Sequence, residues 1–241
     1  VLSPHDYPRN MRNNLQIDVI HPGARLHCVS YLVTDHDTAI IIDPGPGTDE
    51  DALLRRIRAT ELQPADIDYV LLTHCHVDHA LGTDTFARLG ARVVASPDAA
   101  RALEAGSHRV WYEHPDRVHP IHVAIHAPDR ELLQLGTVGT KVLHTPGHTS
   151  GDATYIFRQG GKSIAFTGDL LMPNGQPGWT GSDGFSGEAL LKSLDRLLRE
   201  NPDRVFPGHG PIIEKPAEWL RDGIRLSRIS HEPTGKFIVN D

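Results

Sequence analysis

Short runs of β-branched and apolar residues recur along the first half of the chain, each closed by a turn signal. Residues 15–20, 27–33 and 38–42 read as strands, the last almost wholly apolar and ended by Asp43. Asp43-Pro44-Gly45-Pro46-Gly47 breaks that strand, and Thr48 or Asp49 caps a helix that buries Leu53, Leu54 and Ile57. A strand over 67–72, a helix over 83–89 stopped by Gly90, a strand over 92–95 and a helix started by Ser96-Pro97 follow. The segment 107–129 is the least regular. Within it, over 121–126, apolar residues alternate with His122 and His126, which predicts a half-buried strand with outward histidines. His108, His114 and His119 of the same segment read as surface residues too.

The second half repeats the pattern. Strands are expected over 138–143, 153–157 and 163–166, then an amphipathic helix over 188–199 carrying Leu190, Leu191, Leu194, Leu197 and Leu198. A short strand over 204–206 and a closing helix over 217–229 complete it. No break in composition divides the chain, so one domain over 1–241 is expected. Two β-rich halves with flanking helices predict an α/β fold of two sheets packed face to face, helices outside.

Composition narrows the class. With 241 residues, 39% hydrophobic and 23% charged, the chain reads as soluble and globular. It holds no apolar run of about 18 residues, so no membrane span is expected, and its polar start lacks the apolar centre of a signal peptide. A formal charge of −7 argues against a grip on nucleic acid through phosphates. Cys28 and Cys75 are far apart, which argues against a disulfide framework and for a reducing, cytoplasmic setting. Histidine is the outlier at 16 residues and is the first pointer to metal.

The strongest local signal is Thr73-His74-Cys75-His76-Val77-Asp78-His79, directly after an apolar strand. Imidazole and carboxylate are good ligands for zinc and similar metals. Neighbouring side chains on a strand alternate faces, so these four ligands require a loop at the strand end to converge. Three later positions put a His or Asp beside glycines at the end of an apolar run. They are His148 in His144-Thr145-Pro146-Gly147-His148-Thr149-Ser150-Gly151, Asp169 in Phe166-Thr167-Gly168-Asp169, and His209 in Phe206-Pro207-Gly208-His209-Gly210. His74, His76, Asp78, His79, His148, Asp169 and His209 thus form a candidate ligand set.

In that order, preceded by Asp43, these residues resemble the motifs of the metallo-β-lactamase superfamily over roughly residues 15 to 212. The resemblance implies a four-layer αββα sandwich with two metal ions at one edge of the sheets. His74, His76 and His148 would bind the first ion, Asp78, His79 and His209 the second, and Asp169 would bridge them. Asp43 would stand behind the ligands, and His144 would not bind metal. The cofactor implied is two zinc ions, with iron or a mixed pair as the variant. A metal-bridging hydroxide would attack a carbonyl, with Asp78 also shuttling the proton. Cys75 is expected to face into packing.

Asp169 is informative, because the true zinc β-lactamases typically carry Cys or Ser there. The fragments from Thr73 to Gly82, His144 to Gly151 and Thr167 to Asp169 are similar to the glyoxalase II branch, which hydrolyses glutathione thioesters. The stretch after His209 is shorter than the helical region that supplies glutathione contacts in full-length glyoxalase II. The resemblance therefore implies the chemistry rather than the thiol carrier. The leading expectation is hydrolysis of a small ester, thioester or lactone. The alternatives are a persulfide dioxygenase-like enzyme with one iron, and an RNA-cleaving phosphodiesterase. Trp179 and Phe185, with Trp111 and Tyr112 opposite, are read either as apolar walls over the metals or as loop packing. The sequence carries no sign of oligomeric state.

Overall fold

In the computed structural model, which describes residues 15–24, 27–47, 50–106, 119–181 and 184–229, strands form where the apolar runs predict them. Among the described residues, β1 (Gln16–Ala24), β2 (His27–Thr34), β3 (Ala39–Ile42), β4 (Tyr69–Leu71), β5 (Arg92–Ala95) and β6 (Ile125–His126) make one sheet in that order. The second sheet runs β11-β10-β9-β8-β7, from β7 (Leu132–Leu135), β8 (Val138–His144), β9 (Ala153–Gln159), β10 (Lys162–Gly168) and β11 (Arg204–Pro207). Both sheets are mixed: β3, β4, β5 and β6 pair in parallel, as do β10 and β11, and the remaining pairs are antiparallel.

The helices are α1 (Glu50–Arg58), α2 (Val77–Ala80), α3 (Thr83–Arg88), α4 (Pro97–Glu104), α5 (Gly187–Glu200) and α6 (Pro216–Ile229). Side-chain alternation sorts the core into layers. Ile40 and Ile42 join Val29, Tyr31, Tyr155, Phe157 and Phe166 between the sheets. Ile41 points the other way, against Leu53, Ile57, Phe86 and Leu103 of the helices outside the first sheet. The leucine face of α5 packs with Trp219 and Leu220 of α6 over the second sheet. This is the αββα sandwich.

Parallel pairing decides where chemistry gathers. The C-terminal ends of β3 and β4 lie together on one sheet, and those of β10 and β11 on the other. The two edges are tied by hydrogen bonds running between the sheets. Tyr31 Oη donates to Pro207 O at 2.6 Å, and Tyr155 Oη donates in the reverse direction to Leu72 O at 3.0 Å. Burial drives both phenols far above the ordinary tyrosine pKa, so they remain donors. Val29 N donates to Gly208 O at 2.6 Å, and Ala153 N to Thr73 O at 2.8 Å.

Three expectations need correction. Of residues 121–126 only Ile125 and His126 pair as a strand. Ile121 N bonds Leu103 O and Val123 N bonds the Glu104 carboxylate, so the end of α4 takes the donors that a ladder needs. The alternation survives nevertheless: Ile121 and Val123 are buried, while His122 and His126 face outward. Residues 132–135 form β7, a hairpin strand that the pattern reading passed over. Asp78 and His79 sit on the helical turn α2 rather than in a loop. The proposed cap at Thr48 or Asp49, and His108, Trp111, Tyr112 and His114, lie outside the described residues. Among the described residues no helix is long and apolar enough to cross a membrane.

The reciprocal tyrosine bonds give a direct test. Tyr31→Phe and Tyr155→Phe should each lower unfolding free energy by about 1–3 kcal/mol, because a buried carbonyl loses its donor. Urea denaturation measures this. An unchanged midpoint in both variants would mean that the bonds contribute nothing to sheet docking.

Candidate metal centre

The site begins where β3 ends. Asp43 adopts a left-handed backbone (φ 49°) and is buried. Its Oδ1 accepts Thr73 N at 2.8 Å, and its Oδ2 accepts Thr73 Oγ1 at 2.6 Å and His79 Nδ1 at 2.8 Å. A carboxylate only accepts, so in its neutral, metal-binding form His79 carries its proton on Nδ1 and turns a bare Nε2 inward. Thr73 has spent its hydroxyl hydrogen on Asp43. Its oxygen must therefore accept from His74 Nδ1 at 3.1 Å, which leaves His74 Nε2 bare as well.

Each remaining position has its own support. Asp78 and His79 are presented by α2, whose N-cap is His76. His148 stands in the β8–β9 loop, which Thr145 N closes onto Asp152 O at 2.9 Å. The Asp152 carboxylate accepts Thr149 N at 2.8 Å and the Thr149 hydroxyl, and burial pushes its pKa up to about 6. Ser96, the cap of α4, donates to Gly151 O at 2.6 Å and anchors the loop from outside. Asp169 follows Gly168, which has φ 52° and lies so close to Thr73 Oγ1 that a Cβ there would overlap it. Before His209, Gly208 lies against Asp169 Oδ1 and His79 Cε1 in the same way.

The structure brings all seven expected residues together. One ligand atom each from His74, His76 and His148 lies within 4.8 Å of the others, and the same holds for Asp78, His79 and His209. His74, His79 and Asp169 form a third such group that joins the two. His148 Nε2 is 2.9 Å from His76 Nδ1, and His209 Nε2 is 3.2 Å from Asp78 Oδ2. Asp169 lies between the trios: Oδ1 is 3.3 Å from His79 Nε2, and Oδ2 is 3.7 Å from His148 Nε2 and 3.6 Å from His209 Nε2.

The residues fit a metal cofactor. His74 Nε2, His79 Nε2 and Asp169 Oδ1 are buried without a hydrogen-bond partner, a state that native interiors rarely tolerate. All three are nitrogen or oxygen ligands in one cluster. The electrostatics divide the trios. Burial, reinforced by the charges of neighbouring histidines, holds His74 well below the ordinary histidine value, and burial with His148 takes His76 down to about 3. Burial works against protonating His79 too, yet Cys28, Asp169, Asp78 and Asp43 carry it well above the ordinary value. Burial pushes the Cys28 thiol itself to about 11, so the carboxylates are the effective cause near neutrality. His209 is also raised: burial opposes this, and Asp169 and Asp78 outweigh it. In turn His79 and His209 hold Asp169 well below the carboxylate range against its burial.

Other expected residues fall as follows. His144 Nε2 is 2.8 Å from Ala127 O, outside the cluster. Cys75 packs in the core beneath α1, α3 and α4. Trp179 is 50% exposed, with its ring centroid 6.3 Å from that of His76. Phe185 is half-buried against the α5–α6 leucines. Sequence reasoning missed Thr73 and Asp152. The only trace of the first is a hydroxyl between the strand end and His74, and of the second a lone acid at the entry to an apolar strand.

A layered αββα frame thus carries, at the strand edge its two sheets share, a His and Asp cluster suited to metal. Residues 23–209 match the family model of the metallo-beta-lactamase superfamily, and the chain belongs to that superfamily. Its members are typically metal-dependent hydrolases. The chain is 30% identical over 192 residues to the beta-lactamase-like protein 2 homolog of Drosophila melanogaster, covering 78% of this chain and 60% of that protein. It thus spans less than two thirds of that relative. It is also 30% identical over 205 residues to hydroxyacylglutathione hydrolase GloC of Haemophilus influenzae, covering 81% of this chain and 91% of that protein. The fold is similar to a metallo-beta-lactamase family protein of Thermus thermophilus, with a TM-score of 0.75 and 24% identity over 90% of this chain and 80% of that one.

Two outcomes follow. Asp43→Asn turns an amide N–H toward His79 Nδ1 and forces the other tautomer, so metal affinity should fall about 10–100-fold, as when a ligand's supporting partner is lost. Competitive chelator titration reads this, and unchanged affinity would contradict it. Metal must also displace protons from His79 and His209, whose values are raised, but not from His74 and His76, whose values are lowered. As pH falls below neutrality, dialysed protein should lose metal from the His79–His209 side first. Loss of all metal in one step would count against this division.

Proposed function

We propose that the chain is a two-metal hydrolase, with zinc in both sites, that cleaves a small ester, thioester or lactone. The observation that carries the reading is Asp169, whose one carboxylate lies within 3.7 Å of His148 and 3.6 Å of His209 and so spans both trios. In this reading His74, His76 and His148 would hold one ion and Asp78, His79 and His209 the other, Asp169 would be shared, and Asp43 orients His79. The mixed imidazole and carboxylate set suits zinc, and iron is the variant. When bound, two divalent ions supply Lewis-acid polarisation of a carbonyl and a water of lowered pKa.

The chain's own groups do the rest. Buried His74 and His79 wall the centre off from bulk water. The Asp78 side chain is 11% exposed, and its Oδ2 meets His209, whose side chain is 24% exposed. Asp78 takes a proton from the attacking water and returns it to the leaving group. The carbonyl carbon gains the oxygen of water, the C–S or C–O bond breaks, and a carboxylate and a thiol or alcohol depart, with the second proton of the water released to solvent. No cysteine competes as nucleophile: Cys75 is packed away, and burial raises Cys28 to about 11, where it stays a thiol. The GloC relative supports the thioester, and the similarity of the Thr167–Asp169 fragment to the glyoxalase II branch supports simple acyl chemistry over β-lactam cleavage. The reading includes a small-molecule substrate, supported by the net charge of −7 against a nucleic acid, and a cytoplasmic setting, supported by two buried free cysteines.

Elemental analysis of protein purified without added metal, run beside thioester, ester and lactone panels, tests this. Two zinc per chain are expected, with turnover abolished by a chelator and restored by zinc. One iron per chain with oxygen uptake on glutathione persulfide would replace the hydrolase with the dioxygenase. Cleavage of RNA alone would replace it with a phosphodiesterase.

A further inference from the structure

We infer that Trp179 is the wall that selects the acyl group of the substrate, and that it favours an aromatic acyl group over a short aliphatic one. The inference rests on the hydrolase reading above. The segment carrying Trp179 is docked on the centre by glycines. A Cβ at Gly178 would fall 2.6 Å from Asp169 O and 2.9 Å from His148 Nδ1, so the backbone there lies directly against two residues of the cluster. A Cβ at Gly181 would fall 2.6 Å from Trp179 Cζ2 and 2.9 Å from its Nε1, so the indole lies against bare backbone on that side. The ring therefore has a fixed bed. It meets His76 in an edge arrangement, with centroids 6.3 Å apart and planes at 60°.

Trp179 as a residue nevertheless stays 50% exposed, and the His76 beside it is buried. An aromatic group entering the site gains offset or edge contact with it. The direction follows from Asp78. That residue protonates the leaving group, so the leaving group lies on the Asp78–His209 side. The acyl remainder then lies toward His76 and His148, where Trp179 stands.

The test uses zinc-loaded protein and a series of thioesters of one thiol, from acetyl to phenylacetyl. In Trp179→Ala the ratio of phenylacetyl to acetyl kcat/KM should fall roughly tenfold, through KM rather than kcat, the size of a lost aromatic contact. Trp179→Phe should keep most of it, and zinc content should be unchanged in both. Independently of turnover, phenylacetate should quench tryptophan fluorescence in the parent protein and lose most of that quench in Trp179→Phe. Thioester turnover with an unchanged ratio and an unchanged quench overturns the wall and leaves the hydrolase standing. Absence of any thioester, ester or lactone turnover removes the hydrolase reading, and the acyl selection with it, whatever the quench.

Discussion

The buried carboxylate of Asp43 is the constraint on which the rest of the centre depends. It accepts both the amide and the hydroxyl of Thr73, and the Nδ1 proton of His79. Those bonds fix the strand exit that carries His74 and the tautomer that frees His79 Nε2. The effect propagates through Thr73, whose hydroxyl oxygen receives His74, whose carbonyl receives Ala153 from the other sheet, and against which Gly168 packs. A left-handed residue at a strand end is uncommon outside glycine, and such conformations persist where the surroundings over-determine them. Here three accepted bonds do so.

The centre also belongs to neither sheet alone. His74, His76, Asp78 and His79 follow β4, whereas His148, Asp169 and His209 follow strands of the second sheet. Every trio draws on both sides. Bound metal therefore favours the docked arrangement of the sheets, and the docked arrangement preforms the site. Tyr31 and Tyr155, each reaching across to the opposite sheet beside the site, hold the same interface by other means.

Much of this was legible in the sequence, for identifiable reasons. The sandwich follows from two rounds of apolar runs and amphipathic helices. The seven clustered residues follow from their shared position after strands. What escaped was tertiary. The donors of Ile121 and Val123 turn to α4 because that helix ends beside them, which periodicity does not record. The turn α2 is a single helical turn, too short for a periodic signal, and it still decides where Asp78 and His79 point. Thr73 and Asp152 act through hydrogen bonds to residues distant in the chain or in the loop, and their types alone are ordinary. Phe185 looks like Trp179 in sequence, yet it packs on α5 and α6 while Trp179 stands out beside His76.

The central claim is that seven residues hold two metal ions with Asp169 shared between them. Anomalous diffraction from crystals of the zinc-loaded protein tests it most directly. Two peaks about 3.5–4 Å apart are expected, one touching His74, His76 and His148, the other Asp78, His79 and His209, with Asp169 on both. A single peak that leaves Asp78, His79 and His209 uncoordinated would contradict it.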